Sequence, residues 1–371
     1  MKKSRFISLV LSIALVLSLS AFSAGAVESE IVSSMSVQAK AALLVDMDTD
    51  YIMFEQNAYE RAYPASITKI LTALIAMEQC PLDEMVTYSN EAVNSINWQT
   101  DSNIGIQAGE QITVEQSLYG LLVGSANEVA NALAEHVSGS VQDFAKLMNE
   151  RAEALGCVDS HFANANGIFD ENHYTSAYDM AQIARAFFSN DLLCKISGTA
   201  TYTIPRSATV SKELFVSSKN QLLPGKEYAY EYLVGSKTGY TSEARQTLVS
   251  CAQKDGMKLI CVVMKEESPS QFTDTIELFN YGFSSFHVVN VADADSRYTV
   301  GNELFFESDA DAALLRSLPS ILPIPLSCRT RRTMRIRSPH SPMMTWRTRL
   351  RQRRSPLPTT AYMWAAQRSG W

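Results

Sequence analysis

Hydrophobic and polar positions alternate with a strand-like period in two regions, one near each end of residues 38–286. Residues 41–46 and 51–55 flank a polar tetrapeptide and predict a β-hairpin. Residues 246–253 and 257–264 flank the turn Asp255-Gly256 and predict a second hairpin. A helical period dominates the stretch between the two hairpins.

The first predicted helix begins at Ser66, which follows Pro64 and can lie at or near the cap. Its apolar face contains Ile67, Ile70, Leu71, Leu74 and Ile75. Further helices are predicted at 114–123, 128–136, 141–155, 176–188 and, after the second hairpin, 271–283. Strands at both ends with helices between them predict an α/β chain of the α+β type, in which the two ends close one antiparallel sheet.

The first 26 residues have the pattern of an export signal. Basic residues precede an apolar stretch at 6–19, and Ala24-Gly25-Ala26 follows as a cleavage site, so the mature chain is predicted to start near Val27. A retained membrane anchor is the alternative, but the apolar run is short. No other stretch approaches the about 18 apolar residues of a membrane helix.

Cysteine and histidine spacing predicts neither a metal nor a cofactor. The six cysteines form no C-x-x-C pair, and none of the five histidines lies near them at ligand spacing. The Asp255-Gly256 turn places Cys251 opposite Ile260, which puts the thiols of Cys251 and Cys261 on opposite sheet faces. We therefore expect mostly buried thiols rather than required disulfides.

The net charge of −7 averages two unlike regions. Residues 1–320 contain 21 basic and 39 acidic groups, a net charge of −18, whereas the last 51 residues contain 11 Arg and no Lys, Asp or Glu. The acidic body argues against a general nucleic-acid binder, which needs a basic face.

Ser66 and Lys69 form the only S-x-x-K sequence in the chain, and their spacing places hydroxyl and amine on one helical face. The helix carries no other charge before Met77, so desolvation is expected to lower the pKa of Lys69 toward that of a usable base. The alternative is a capping serine and a snorkelling lysine.

Lys237-Thr238-Gly239 is the only K-T-G sequence and follows a strand-like run. On an edge strand, Lys237 and Thr238 could hold a substrate carboxylate, while Gly239 lets the ligand approach the backbone.

The S-x-N tripeptide occurs three times, at Ser95, Ser125 and Ser218, so it discriminates little by itself. We select Ser125 and Asn127 because Gly124 precedes them and helical segments flank them, which predicts a turn facing a cleft.

In this order, the three motifs resemble those of the penicillin-recognising serine hydrolases. The finer resemblance is to the low-molecular-mass D-alanyl-D-alanine carboxypeptidases of peptidase family S11. It covers most of residues 38–286 and is carried by segments 63–69, 166–168, 173–180, 219–223 and 235–241. It implies a penicillin-binding transpeptidase/β-lactamase-like domain with a helical subdomain.

The resemblance implies that Ser66 attacks the carbonyl between the two terminal D-alanines of a peptidoglycan stem peptide, with Lys69 taking the hydroxyl proton. Ser125 would relay a proton to the leaving amine, and Asn127 would position Lys69 and the substrate amide. β-Lactam antibiotics would acylate Ser66 as covalent inhibitors.

The same resemblance assigns the substrate-binding strand to the K-T-G region. Lys237 and Thr238 would bind the terminal carboxylate, with Gly239, Tyr240 and Thr241 continuing the binding strand. Backbone N–H groups of Ser66 and Tyr240 would form the oxyanion hole.

Class A β-lactamase is the nearest alternative within these hydrolases. Its second motif normally has Asp where this chain has Ala126, and its E-x-x-L-N sequence is absent between Ser125 and Lys237. A penicillin-binding sensor without turnover is the alternative from another class. It would follow from Arg245, which stands where relatives usually have a Gly that permits a positive φ.

His173 suggests a catalytic Ser-His pair, but Lys69 is already available as the base. The resemblance places the His173 segment in a loop near the cleft, so we expect it to order that loop, with Asp179 fixing the same segment.

The resemblance predicts a catalytic domain at 38–286 and the start of a small β domain at 287–312, in an exported protein of the cell envelope. Residues 313–371 form an anomalous Arg-rich tail, for which the composition favours an out-of-frame reading. A genuine basic tail with a peripheral contact to anionic lipid or teichoic polymer is the alternative.

Overall fold

The computed structural model describes residues 36–289 and 362–365. Its strands are β1 Ala41–Asp46, β2 Ile52–Gln56, β3 Met85–Thr87, β4 Gln111–Thr113, β5 Thr201–Ile204, β6 Leu214–Ser217, β7 Leu233–Thr241, β8 Arg245–Lys254, β9 Met257–Glu266, β10 Phe286–Val289 and β11 Tyr362–Ala365. Its α-helices are α1 Lys69–Gln79, α2 Asn90–Asn94, α3 Val114–Leu122, α4 Asn127–Ser138, α5 Val141–Ala154, α6 Ala177–Phe188, α7 Asp191–Ser197 and α8 Ser270–Ser285.

A five-stranded antiparallel sheet has the strand order β2-β1-β9-β8-β7. The N-terminal and C-terminal hairpins meet where β1 pairs with β9, from Ala41 opposite Met264 to Asp46 opposite Leu259. The predicted closure of one sheet by both ends of the domain is confirmed. The K-T-G strand β7 lies at the sheet edge, as predicted.

Helices cover both faces of this sheet. The amphipathic α8 packs on one face against β8 and β9, and α6 packs on the other face. Beyond α6, helix α1 contacts α3, α4 and α5 to build a helical subdomain. The sequence sets these helix starts locally, since the side chains of Thr113, Ser140, Ser176 and Asn190 cap α3, α5, α6 and α7.

The predicted start of the first helix at Ser66 is wrong. Residues Ala65–Thr68 form a 3-10 turn, and the α-helix begins at Lys69. Ser66 does not cap it, because its hydroxyl accepts a hydrogen bond from the Lys69 ammonium instead. Short elements with little periodicity, such as α2, α7 and the small hairpins, were also absent from the prediction.

The cysteine predictions are confirmed for the described cysteines. Cys251 pairs opposite Ile260, and its side chain belongs to the core on the α6 side, whereas Cys261 lies near Thr275 of α8. The five described cysteines are free thiols, and four of them are buried.

The predicted signal at 1–26 lies outside the described residues, as do most of 287–312 and of the Arg-rich tail. Within the tail, Tyr362–Ala365 pairs with Phe286–Val289, although the sequence period predicts no strand there. This short run is rich in residues that favour strands, which accounts for the pairing. Among the described helices, none combines the length and the apolar character needed to cross a bilayer.

Candidate active site

Ser66 lies on a constrained turn between the sheet and the helical subdomain. The preceding Ala65 has a φ of 51°, a left-handed conformation that side chains disfavour. A Cβ added at Gly167 would lie 2.0 Å from the Ala65 carbonyl oxygen, so only glycine permits this packing. Backbone contacts from a distant loop therefore hold the turn that presents the Ser66 hydroxyl.

Lys69 is completely buried at the start of α1. Its Nζ donates to Ser66 Oγ at 2.9 Å, to Asn127 Oδ1 at 2.7 Å and to the Asn166 carbonyl oxygen at 2.5 Å. The structure thus brings together three of the four predicted catalytic residues, and each ammonium proton has an oxygen acceptor.

The electrostatics of this pocket make the Lys69 ammonium easy to deprotonate. Burial, and secondarily the positive charge of Lys237, lower the pKa of Lys69 well below its ordinary value. Once deprotonated, Lys69 can accept the proton of the Ser66 hydroxyl, whose Oγ lies 2.9 Å from Nζ.

Ser125 and Lys237 form the other half of the cleft. Ser125 has a φ of 56° and leads into α4, whose first residue is Asn127. Lys237 is buried on β7, and its Nζ donates to Ser125 Oγ at 2.9 Å and to the Thr238 carbonyl oxygen at 2.7 Å. Ser125 therefore contacts Lys237 directly, and the sequence motifs S-x-N and K-T-G meet across the cleft.

Lys237 is also a perturbed cation. Burial, followed by the charge of Lys219, lowers its pKa to about 7. An anion that binds beside this buried amine, such as a carboxylate, would stabilise the charged form of Lys237.

The strand β7 passes directly beside the Ser66 turn at Gly239. A Cβ at this position would lie 2.8 Å from the Ser66 nitrogen and 2.4 Å from Thr247 Oγ1, so a side chain would push the strand away. Tyr240 exposes 53% of its surface at the cleft edge. The Thr241 hydroxyl accepts a hydrogen bond from the Ala244 amide at 3.0 Å, which helps to order the turn after β7.

Arg245 keeps the backbone conformation that a glycine would take, with a φ of 58°. Its guanidinium pairs with Glu267 at the surface and lies 5.8 Å from the centre of the Tyr240 ring. Arg245 therefore keeps the positive φ of the turn, and its charge is paired with that of Glu267.

His173 is buried in the loop that follows the Asn166 segment, and its hydrogen bonds among the described residues are to Thr68 and Ala163 rather than to Ser66. Its Nδ1 accepts from the Ala163 amide, which leaves Nε2 as the donor to Thr68 Oγ1 at 2.8 Å. Burial lowers its pKa to about 4, so it stays neutral. The Asp179 carboxylate accepts from the amides of Val158 and Asp159. Both residues make the loop-ordering contacts expected of them.

Three groups near the cleft were not among the predicted site residues. Asn166 supplies an acceptor to Lys69 through its backbone oxygen, which no side-chain motif could reveal. Lys219 contributes charge to Lys237, and both it and Asn166 lie in segments that carry the family resemblance. Glu128 follows Asn127, is fully buried and accepts from the Ile104 amide at 2.7 Å, and burial raises its pKa to about 7.

A serine hydroxyl hydrogen-bonded to a buried lysine, opposite a second lysine on a sheet edge, is the arrangement that a serine hydrolase with a lysine base requires. Residues 28–268 match the sequence profile of peptidase family S11, described as D-alanyl-D-alanine carboxypeptidase. The chain belongs to this family of hydrolases. The match confirms the resemblance seen in the sequence and favours neither the β-lactamase nor the sensor alternative.

Individual relatives agree with the family match. The chain is 33% identical to D-alanyl-D-alanine carboxypeptidase DacF of Bacillus subtilis (strain 168) over 260 residues, which cover 68% of this chain and 64% of that protein. It is 28% identical to DacC of Escherichia coli (strain K12) over 282 residues, which cover 72% and 66%. The chain therefore spans slightly less than two thirds of the length of these two relatives.

Solved structures confirm the α+β fold class. The Streptomyces K15 DD-transpeptidase is 27% identical, with a TM-score of 0.64, over 68% of this chain and 100% of that chain. A D-alanyl-D-alanine carboxypeptidase from Mycobacterium tuberculosis H37Rv is 26% identical, with a TM-score of 0.62, over 69% and 95%.

Proposed function

We propose that this chain is a serine-type D-Ala-D-Ala carboxypeptidase that removes the terminal D-alanine from peptidoglycan stem pentapeptides. The observation that carries the proposal is the buried Lys69 ammonium, hydrogen-bonded at once to Ser66 and Asn127. A cleft in which Lys69 can act as a base and Lys237 supplies a buried cation suits a substrate that ends in a carboxylate.

In the acylation step, neutral Lys69 takes the proton of Ser66 as Oγ bonds to the carbonyl carbon between the two D-alanines. The carbonyl oxygen becomes an oxyanion, held by the N–H groups of Ser66 and Tyr240. When the intermediate collapses, the Ser125 hydroxyl protonates the departing amine and is restored by the proton that Lys69 took. D-Alanine leaves, and an ester on Ser66 remains.

Lys237 and Thr238 bind the terminal carboxylate, while Gly239, Tyr240 and Thr241 continue the substrate-binding strand. The closeness of Gly239 to the Ser66 nitrogen supports this alignment, because it brings β7 beside the reacting carbonyl. Water then attacks the ester, the Ser66 oxygen regains its proton, and the tetrapeptide is released. A β-lactam acylates the same hydroxyl and blocks it.

The proposed setting is the cell envelope, in an exported protein whose first 26 residues are removed and which acts in peptidoglycan biosynthesis. A catalytic domain at 38–286 is supported by the central sheet, whose closure needs nothing beyond β9 and α8.

Truncation after Ser308 is therefore expected to leave carboxypeptidase activity and the midpoint of thermal unfolding unchanged. A loss of activity on truncation would give the tail a catalytic role.

The deciding experiment incubates the protein with a synthetic stem pentapeptide and analyses the products by mass spectrometry, with labelled penicillin in parallel. Loss of one alanine together with stable penicillin labelling supports the proposal. Labelling without peptide hydrolysis supports the sensor, and rapid penicillin hydrolysis supports the β-lactamase.

Ser125→Ala should slow peptide hydrolysis by at least about 100-fold, whereas Ser95→Ala, in another S-x-N tripeptide, should not.

A further inference from the structure

A cluster of three side chains of the types that can ligate metal ions lies at the end of the helical subdomain opposite the catalytic residues. Cys80 follows the last residue of α1, Glu84 lies in the next turn, and His136 lies in the last turn of α4. Their Sγ, carboxylate and imidazole donor atoms lie within 4.8 Å of one another. We propose that Cys80, Glu84 and His136 form a structural binding site for a zinc-class divalent cation.

The donor set selects the chemistry of the ion. Thiolate, imidazole and carboxylate are the three side-chain ligand types of zinc, whereas calcium and magnesium prefer oxygen alone. Tetrahedral zinc with bonds of 2.0–2.3 Å separates its ligand atoms by about 3.5 Å. His136 Nε2 and Glu84 Oε1 are already 3.4 Å apart, so small rotations would complete a three-ligand site with one open position for water.

The backbone around the cluster is already ordered for binding. The Glu84 amide donates to the Pro81 carbonyl at 3.2 Å, which closes the turn after Cys80. At the start of α3, the Val114 amide donates to the Glu84 carbonyl at 2.9 Å and the Glu115 amide to the Leu82 carbonyl at 3.0 Å. Cys80 and Glu84 are thus held on a fixed turn rather than on a free loop, which lowers the entropic cost of ligation.

Helix geometry adds an electrostatic argument. Helices α1 and α4 pack together, begin at Lys69 and Asn127 in the cleft, and both end at this cluster. Their C-terminal ends carry partial negative charge, which favours a cation. At 1.5 Å per residue, Cys80 lies about 16 Å along the helix from Lys69, so the ion would brace the helix pair without touching substrate.

Binding has a simple proton balance. Burial, and secondarily the charge of Glu84, raise the pKa of the Cys80 thiol above its ordinary value. The thiol is therefore protonated without the ion, and its proton passes to solvent when the thiolate binds the metal.

To test the proposal, the full chain with reduced thiols is titrated with Zn²⁺ and followed by calorimetry. A second titration uses Co²⁺ and is followed by absorption spectroscopy. We expect one Zn²⁺ per chain, a thiolate-to-cobalt charge-transfer band and a higher midpoint of thermal unfolding with Zn²⁺ than with Mg²⁺. Cys80→Ser should abolish the band. Glu84→Gln, at a half-exposed surface position, and His136→Gln should each weaken Zn²⁺ binding at least about tenfold.

The matched controls are Cys194→Ser and His161→Gln, whose side chains lie outside the cluster and should leave the band and the affinity unchanged. Penicillin labelling should be the same in Cys80→Ser as in the parent chain, which separates this site from the active site. Absence of Zn²⁺ binding in the parent chain would overturn the proposal. A cobalt band that persists in Cys80→Ser, or is lost in Cys194→Ser, would do the same.

Discussion

Two buried ionisable regions lie on opposite faces of the same sheet and are treated differently by their surroundings. On the cleft side, Lys69 is completely buried, yet each of its three ammonium protons has an oxygen acceptor. On the α8 side, the carboxyl of Glu266 is 2% exposed, and neither of its oxygens has a hydrogen-bond partner among the described residues.

A second carboxylate, that of Asp274, lies close enough to Glu266 to affect its pKa. Asp274 of α8 accepts hydrogen bonds from the backbone amides of Gln38 at 2.5 Å and Ala39 at 3.2 Å. Burial, and then the nearby Asp274, raise the pKa of Glu266 to about 9. Glu266 therefore stays protonated at neutral pH.

Desolvation alone therefore does not distinguish a catalytic group from a structural one. Both regions shift a pKa toward the neutral form by burial. Around Lys69, a hydroxyl, an amide side chain and a backbone carbonyl orient the amine toward Ser66, so its basicity can be used. Around Glu266 no reacting group is oriented, and the shift acts only on the stability of the fold.

The largest expected effect is on the nucleophile. Ser66→Ala removes the only hydroxyl among the described residues that is hydrogen-bonded to Lys69, so covalent penicillin labelling should disappear and peptide hydrolysis should fall by at least about 10⁴-fold. Gel-based labelling and product analysis measure both quantities. Labelling retained in this variant would show that a different residue is acylated.

Lys69→Arg tests whether a titratable base is required. Guanidinium keeps the charge but remains protonated, so we expect a folded protein with acylation slowed by about 10²- to 10⁴-fold. Lys146→Arg, at an exposed ion pair with Asp143, is the matched control and should be silent. Near-normal acylation in Lys69→Arg would mean that another group takes the proton.

Lys237→Arg tests the second buried cation through pH. The pKa of Lys237 is about 7, so in the parent chain its charge is lost as pH rises, and KM should increase by up to about tenfold per pH unit above 7. An arginine that remains charged should remove this increase. Lys219→Arg keeps the neighbouring charge and should retain it, and KM for the pentapeptide between pH 6 and 9 measures the difference. A flat KM in the parent chain would contradict the assignment.

Glu266→Gln tests the acidic side of the comparison and should have the smallest effect. Because the folded state holds a proton that the unfolded chain releases above pH 4.5, the parent chain loses stability as pH rises from about 5 toward 9. Glutamine has no proton to lose, so the variant should be more stable than the parent at pH 8 by at least about 1 kcal/mol, with the difference shrinking near pH 5.

Denaturant unfolding at both pH values measures this free energy, and Glu267→Gln, on the exposed neighbouring residue, is the control. An equal difference between Glu266→Gln and the parent chain at pH 5 and pH 8 would argue against a protonated Glu266.

The elements that the sequence predicted well are those with a strong local period. Both hairpins, all six predicted helices and the antiparallel closure follow from alternation, capping residues and turn residues that act over a few positions, although the first helix starts later than predicted. The start of the first helix was wrong because a distant glycine, Gly167, fixes the left-handed Ala65 that precedes it. The register shift near Lys265, which has a φ of 60°, was equally invisible in the sequence pattern.

The sequence by itself determined the motifs, their order and the family, since Ser66 and Lys69 are three residues apart and meet on any helical turn. Only the tertiary structure decided their chemistry. Lys69 finds its other acceptors 58 and 97 residues away, at Asn127 and Asn166, and its burial depends on every element packed around it. A period is a local property of the chain, whereas a pKa or a convergent set of ligands depends on desolvation and on contacts that form only when distant segments pack together.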